Sequence, residues 1–496
     1  MKAISVIPFA ALAALPAVAQ QRPNVVLIVS DDQGYGGVNC YPHTDRIHTP
    51  NIDALAASGV QCMQGYTSGS LSSPTRAGLL TGKYQQSFGF YSLESPSVGG
   101  IPAEQRLVSE YLHDAGYATA CIGKWHVGDY IRNHPVNRGF DKFYGFINGL
   151  HDYFDPLVGG SWDGTYTGLA FTLDGMEPAI DMDYTTYEYT DQAVDFIRSS
   201  AEAGKPFFVY LAYNAIHSPY QVPEELLQKY ADDPANPTKK DRVRAMTAAL
   251  DQGVGKVMQT LDSLNLRNET IVFYLSDNGG VRGVSDLSGL RGQKGSYYEG
   301  GIRVPFIASY PGVIPTGKVY DEPVISIDIV PTVLAQANVE AEGLQGTNLV
   351  PYFRGDTQDA PHETLYWSEP LNNAQRVNRN SFAIRQGKWK LVSDPKRVKA
   401  CDLYDLEADP GEKHGLKERY PEKFEELYND YLAWIGSCEP DLALGGNARL
   451  SGHALMNKYR AKLREAGRPT PPMSFGVDKA PSNDPEAAPK QKHRKQ

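Results

Sequence analysis

Two pairs of adjacent residues, Asp31-Asp32 and Asp277-Asn278, and a Ser-x-Pro-x-Arg run at Ser72 are the parts of this sequence best suited to chemistry. Three carboxylates and one amide make an all-oxygen ligand set, which suits a hard cation, Ca²⁺ or Mg²⁺, and not a soft metal. In Ser70-Leu71-Ser72-Ser73-Pro74-Thr75-Arg76-Ala77-Gly78-Leu79-Leu80-Thr81-Gly82, Pro74 suits the first turn of a helix, where its missing N–H costs nothing. Ser72 then lies at the helix start, where free N–H groups and the dipole favour an anion. Arg76, one turn further in, can fold back toward Ser72, and a fixed guanidinium suits a tetrahedral oxyanion. Each feature alone also has an ordinary structural reading: a strand-end turn for Asp31-Asp32, a helix cap for Ser72.

Short β-branched runs at residues 24–29, 118–122, 207–211 and 271–275 are bounded by turn residues, with helical patterns between them. This rhythm predicts an α/β fold, a large mostly parallel sheet sandwiched by helices. Helices are expected over 50–58 and 104–115, stopped by Gly59 and Gly116, and over 191–200 and 241–264. Ligands in open α/β sheets bind beyond the carboxyl ends of the strands. Asp31-Asp32 follow the first run, Lys124 and His126 the second, His217 the third and Asp277-Asn278 the fourth. Four strands thus bring polar residues to one edge.

From about His362 the pattern changes. Ser381-Phe382-Ala383-Ile384-Arg385 and Trp389-Lys390-Leu391-Val392 flank Gln386-Gly387-Lys388 and read as an antiparallel hairpin. Residues 401–406 read as another strand, Ala408-Asp409-Pro410-Gly411 as a turn, and 421–435 and 455–465 as helices. The expected organisation is a catalytic domain over 20–361 and a smaller C-terminal α+β subdomain, built on an antiparallel sheet, over 362–468. Residues 469–496, with Pro and Lys and few apolar side chains, read as a flexible tail.

Length allows one large α/β domain and a smaller one in 496 residues. Lys2, an apolar run through Ala14 and Ala17-Val18-Ala19 mark residues 1–19 as a secretory signal. The run is too short to span a bilayer, no Cys directly follows the cleavage site, and no later segment reads as a membrane span. The expected location is periplasmic or secreted. A formal net charge of −10 argues against nonspecific nucleic-acid binding, while leaving room for a locally basic site. Five cysteines are too few for a disulfide scaffold. Cys401 and Cys438 are candidates for a bridge, and Cys121 for a buried thiol.

The thirteen residues from Ser70 to Gly82 resemble, position for position, the signature around the nucleophile of type I sulfatases, members of the alkaline-phosphatase-like superfamily. The resemblance runs from about Asn24 to about Leu416. It includes Gly123-Lys124-Trp125-His126-Val127-Gly128, Ser276-Asp277-Asn278-Gly279-Gly280, Glu299-Gly300-Gly301-Ile302-Arg303-Val304-Pro305 and Leu403-Tyr404-Asp405-Leu406. It implies that Ser72 is oxidised to formylglycine, whose hydrate attacks sulfur. It also implies that Asp31, Asp32, residue 72, Asp277 and Asn278 hold Ca²⁺ or Mg²⁺. Arg76, Lys124 and Lys294 would neutralise the ester's charge, and Lys124 would bridge formylglycine and sulfate. His126 would take a proton from the hydrate, and His217 would protonate the leaving oxygen. Ser at position 72, where many relatives have Cys, implies a bacterial serine-type enzyme served by an oxygen-independent, anaerobic sulfatase-maturing enzyme.

A sulfated saccharide is the expected substrate, given the secretory signal and 30 Tyr whose rings suit sugar faces. Expected substrate contacts are the loop Asn148-Gly149-Leu150-His151-Asp152-Tyr153, with His151 foremost, and the hairpin residues Arg385 and Trp389. Two alternatives stand beside this reading. One is a phosphate or phosphonate ester hydrolase of the same superfamily. The other is a sulfated-glycan-binding protein that never gains formylglycine.

Overall fold

The run Val25-Val26-Leu27-Ile28-Val29 forms the middle of strand β1 (Asn24–Ser30), which is buried along its whole length. Burial on both faces is what a continuous β-branched run dictates. The computed structural model describes residues 22–93, 99–156, 182–370, 380–393 and 401–439. The expected signal at 1–19, the helix at 455–465 and the tail at 469–496 lie outside these residues.

The remaining strands of the main sheet are β2 (Val60–Cys62), β4 (Ala118–Lys124), β5 (Lys142–Phe146), β6 (Phe207–Ala212), β7 (Thr270–Ser276), β8 (Phe306–Ser309) and β9 (Lys318–Tyr320). A two-residue strand, β3 (Gly65–Tyr66), pairs separately with β10 (Val324–Ile325). The main sheet has the order β5-β4-β6-β1-β7-β8-β2-β9, and only the pairings of β8 with β7 and β2 are antiparallel. The four strands expected from sequence, β4, β6, β1 and β7, are consecutive neighbours at its centre. Their carboxyl ends are level, with Gly123 opposite Ala212, Ala212 opposite Val29, and Ser30 opposite Ser276.

Alternation along each strand feeds two cores. Val25, Leu27 and Val29 of β1 face one core, covered by α2 (Ser72–Thr81), α3 (Val108–Asp114), α8 (Ile329–Gln336) and α9 (Val350–Arg354). Val26 and Ile28 face the other, covered by α1 (Pro50–Ala57), α4 (Thr185–Glu202), α5 (Glu224–Tyr230) and α6 (Lys239–Ser263). A single helical turn, α7 (Glu299–Ile302), precedes β8. Among the described residues no helix is long and apolar enough to cross a membrane.

Two helix expectations need correction. The one placed at 104–115 begins only at Val108, because the Glu110 carboxylate accepts the Leu107 N–H at 2.7 Å and caps the helix there. The one placed at 191–200 starts six residues earlier, at Thr185. The Thr- and Tyr-rich start has β propensity, but packing of α4 on α6 overrides it. All five cysteines, Cys401 and Cys438 included, are free thiols.

The C-terminal sheet is antiparallel, in the order β11 (Thr364–Pro370), β12 (Asn380–Gln386), β13 (Trp389–Ser393), β14 (Cys401–Asp405). Its outer face packs Ile384, Leu391 and Leu403 against Leu427 and Tyr431 of α10 (Pro421–Gly436). Its inner face packs Trp367, Ala383 and Val392 against Tyr66, Tyr298 and Ile302 of the larger unit.

A fully buried ionic cluster crosses this interface. Lys390 Nζ lies 2.7 Å from Glu299 Oε1 and 2.9 Å from Glu412 Oε1. Burial opposes ionisation of Glu299, yet Lys390, Arg303 and Arg385 together hold it down to about 2. Glu412 is pushed up to about 7, above all by burial and further by Glu299, against the pull of Lys390. The folded chain therefore keeps a proton on Glu412 that the unfolded chain releases above about 4.5. The stability linked to this carboxyl is present below that pH and is lost as pH rises through about 7. Relative to wild type, Glu412→Gln is expected to gain stability as pH rises from about 5 to about 8, followed by urea unfolding. A difference that stays constant across the range would contradict this ionisation.

Candidate active site

Helix α2 starts at the carboxyl edge of the four central strands, and Ser72 is its first residue. The cap position is Leu71, which offers no side-chain acceptor, so no side chain covers the first N–H groups. Ser72 is buried, and its Oγ lies 3.3 Å from Asp31 Oδ1 and 3.1 Å from Asn278 Oδ1. Asn278 in turn donates from Nδ2 to Asp32 Oδ1 at 2.8 Å. The Asp32 N–H points at Asp277 Oδ1 at 3.3 Å.

Each carboxylate has its own cation. Arg76 grips Asp277 Oδ2 through Nε at 3.0 Å and Nη2 at 2.8 Å. Lys124 Nζ donates to Asp31 Oδ2 at 2.6 Å. Lys294 Nζ donates to Asp32 Oδ1. Three negative and three positive side chains thus balance in a nearly solvent-free site. Burial opposes ionisation of Asp31, but Lys124, His217 and Arg76 hold it below the usual range. Burial likewise opposes Asp32, which Lys294 and His217 hold low. Burial disfavours the charge on Lys294, yet Asp32, Asp31 and Asp277 keep its pKa above normal. Lys124 is shifted down, because burial, helped by Arg76, outweighs Asp31.

The two histidines border this cluster. His217 Nε2 is 3.6 Å from Asp32 Oδ2, and its Nδ1 donates to the Ser218 carbonyl at 2.7 Å. A carbonyl only accepts, so Nδ1 carries a proton and Nε2 is the atom turned to the cluster. Burial first, then Lys294, lowers the His217 pKa. His126 is pushed well below its ordinary value by burial and then by Lys124, Arg76 and Lys294, so it is neutral.

Two site residues have left-handed backbone, Asp32 at φ 62° and His126 at φ 59°. Such conformations cost roughly 1–3 kcal/mol each and persist only where the surroundings over-determine them. For His126 the constraints are an N–H bond to the Ile147 carbonyl at 2.9 Å and the backbone of Gly149 against its ring. A Cβ on Gly149 would lie 2.6 Å from His126 Cε1.

Asp31, Asp32, Ser72, Arg76, Lys124, His126, His217, Asp277, Asn278 and Lys294, all singled out in the sequence, meet at this edge. One detail is corrected: Arg76 does not turn to Ser72. Its guanidinium is spent on Asp277, on the Lys124 carbonyl at 3.1 Å and on the Tyr210 hydroxyl at 3.1 Å. The three expected substrate contacts have the following surroundings. His151 is buried, with Nδ1 bonded to the Asp152 carbonyl at 2.7 Å and its ring on Phe146. Arg385 is buried and donates to the Tyr66 hydroxyl and the Gly387 carbonyl. Trp389 packs on Tyr420 of the C-terminal sheet's outer side, ring centroids 4.9 Å apart.

Tyr210 escaped the sequence reading, while Gly149 and Tyr153, read there as part of a substrate-contact loop, also support the site residues. Tyr210 supports Arg76, Gly149 leaves room for His126, and Tyr153 donates its hydroxyl toward the Asn214 and His217 carbonyls. A Tyr within the apolar run of β6 was the one signal available for Tyr210.

Asp31, Asp32, Asp277 and Asn278 fit a hard divalent cation. Their donors are all oxygen, two of them already converge on Ser72 Oγ, and ligand atoms of Asp31, Asp32 and His217 lie within 4.8 Å of one another.

The sulfatase family profile matches residues 23–339, and that of the N-sulphoglucosamine sulphohydrolase C-terminal region matches 293–431. N-acetylgalactosamine-6-sulfatase of Canis lupus familiaris is 32% identical over 442 residues, covering 80% of this chain and 82% of that protein. Arylsulfatase A of Homo sapiens is 33% identical over 455 residues, covering 82% and 85%. The crystal structure of Ps i-CgsB in complex with k-i-k-neocarrahexaose superposes with a TM-score of 0.76 at 31% identity, covering 85% of this chain and 94% of that one.

Ca²⁺ or Mg²⁺ added to chelator-stripped protein is expected to raise its unfolding temperature with the logarithm of concentration above Kd, a stabilisation of about 2.7 kcal/mol at a hundredfold excess over Kd. Asp31→Asn and Asp277→Asn should remove the shift. An equal shift in both variants would mean that cations bind elsewhere.

Proposed function

The chain belongs to the sulfatase family, and from that premise we propose that it cleaves sulfate monoesters of saccharides through formylglycine made from Ser72, aided by Ca²⁺ or Mg²⁺. It is a sulfuric ester hydrolase. The observation that carries the finer reading is the position of Ser72 Oγ, at an uncapped helix start and within hydrogen-bond range of oxygens from Asp31 and Asn278.

When present, the hydrated aldehyde and the cation supply a nucleophilic hydroxyl of lowered pKa and a counter-charge for sulfate oxygens. The cation would be held by Asp31, Asp32, Asp277, Asn278 and residue 72. The chain's own groups do the rest. Arg76, locked onto Asp277, fixes the carboxylate side of the site. Lys124 and Lys294 bring positive charge to an ester whose oxygens would repel a nucleophile. His217, with Nδ1 pinned on the Ser218 carbonyl, presents Nε2 to the leaving alcohol, and its imidazolium form, favoured by Asp32 and Asp31, would donate the proton from Nε2. His126, kept neutral by burial and by its cationic neighbours, is the base.

A saccharide substrate is supported by the relatives named for N-acetylgalactosamine-6-sulfate and by the neocarrahexaose complex. Residues 1–19 support action in the periplasm or outside the cell. Ser rather than Cys at 72 supports maturation by an anaerobic serine-type enzyme.

The test is sulfate release from defined sulfated mono- and disaccharides by protein co-expressed with such a maturase. Aryl phosphate and phosphonate esters run in parallel. Ser72→Ala is expected to lose turnover below detection while still folding cooperatively, less stable than wild type by about 1–3 kcal/mol for the buried hydroxyl it removes. The Ser72 peptide of the active enzyme should be lighter by two hydrogens. Turnover retained in Ser72→Ala, or faster release from phosphonates, would overturn the proposal.

A further inference from the structure

We propose that Glu412, on a turn of the C-terminal sheet, is a positioning residue that sets Lys294 in the active site. This rests on the reading of Lys294 as a sulfate-binding group.

Lys294 lies on the segment from Arg291 to Glu299, and both ends of that segment are tied to Glu412. At one end Arg291 Nη1 donates to the Glu412 carbonyl at 2.6 Å and to the Tyr404 hydroxyl at 2.9 Å. Its guanidinium lies 4.0 Å from the Tyr298 ring, which fixes its plane. At the other end the Glu299 N–H donates to Glu412 Oε2 at 2.7 Å. Lys390 Nζ then clamps the two carboxyl groups together. Between these anchors the segment folds on itself, Gly300 N–H to the Arg291 carbonyl at 2.6 Å and Ser296 N–H to the Gln293 carbonyl at 3.0 Å. Its tip touches the catalytic edge, with Lys294 N–H on the Gly280 carbonyl at 3.0 Å and Gly295 N–H on the Ser70 carbonyl at 2.8 Å. The side chain of Lys294 reaches Asp32 from this tip.

Glu412 bears the cost of this arrangement. It is fully buried, sits beside a second carboxylate and has left-handed backbone at φ 51°. An apolar contact would join the two sheets at least as well, because buried ion clusters are poor glue. What an apolar side chain at 412 cannot do is accept the Glu299 N–H; the Glu412 backbone carbonyl holds the Arg291 end, and the carboxyl adds the anchor at the other end of the same segment. The geometry is that of a fixture for the Lys294 tip. The tip must not drift, since a shift of about 1 Å at a charged contact can cost on the order of 10²-fold in rate.

A double-mutant cycle separates positioning from mere stability. Glu412→Ala, Lys294→Ala and the double variant are assayed on an aryl sulfate, with equilibrium unfolding of each. Glu412→Ala is expected to lower kcat/KM on the order of 10²-fold. In the Lys294→Ala background the same change should cost less than about twofold, while the loss of stability is equal in both backgrounds. Should Glu412→Ala fail to fold, Glu412→Gln takes its place. It keeps an acceptor for the Glu299 N–H and should show a smaller loss that again vanishes without Lys294. Equal activity losses in the two backgrounds, or none in either, would overturn the inference while leaving the sulfatase reading intact. A Lys294→Ala enzyme with wild-type kcat/KM would overturn the assigned role of Lys294, and this inference with it.

Discussion

Three carboxylates matched one-to-one with three cations, almost out of reach of water, are the constraint on which the rest depends. Removing any one member leaves its main partner buried and largely uncompensated, which typically costs about 3–5 kcal/mol. The cluster can exist only where backbone brings charges from distant parts of the chain to one level. Parallel strands do this because their carboxyl ends lie together. The level ends of β4, β6, β1 and β7 are therefore as much a part of the site as Asp31 or Lys124.

The same constraint accounts for local irregularities. Asp31 and Asp32 are adjacent, so an extended strand would send their side chains to opposite faces. The left-handed turn at Asp32 lets both carboxylates serve one cluster. His126 likewise turns back at the end of β4 through positive φ, and Gly149 leaves its ring space. Just before them Gly123, at φ 105°, would put a Cβ 1.9 Å from the Ala212 carbonyl oxygen. The strand end there admits only glycine.

How much could be read from sequence follows from the range of each interaction. The four central strands were legible because a run such as Val25 to Val29 carries its own signal. Their terminal polar residues were legible because the strand direction is fixed by the fold class. Lys294 was legible only through resemblance, since nothing local marks a loop lysine. The roles of Tyr210 and Glu412 were not legible. Tyr210 meets Arg76 across 134 positions, and Glu412 meets Glu299 across 113. The burial of Arg385 was not legible, because a charged residue at a hairpin normally faces water, whereas here Tyr66, 319 positions away, draws it inward. The start of α4 was misread because local propensity lost to packing against α6.

The balance of charge also explains how a chain of net charge −10 can receive an anionic ester. Surface charges more than about 8 Å away are screened at physiological ionic strength, so the local sum decides. In the protein alone that sum is zero: Asp31, Asp32 and Asp277 cancel Arg76, Lys124 and Lys294. A site that is neutral by itself holds no anion strongly, and one carrying three uncancelled cations would be costly to fold. A divalent cation, if held by Asp31, Asp32, Asp277 and Asn278, would add two positive charges on the carboxylate side, and Lys124 and Lys294 would then be less neutralised toward an incoming sulfate. Charge neutrality in the folded chain and anion affinity in a cation-loaded enzyme would then follow from one arrangement of six side chains.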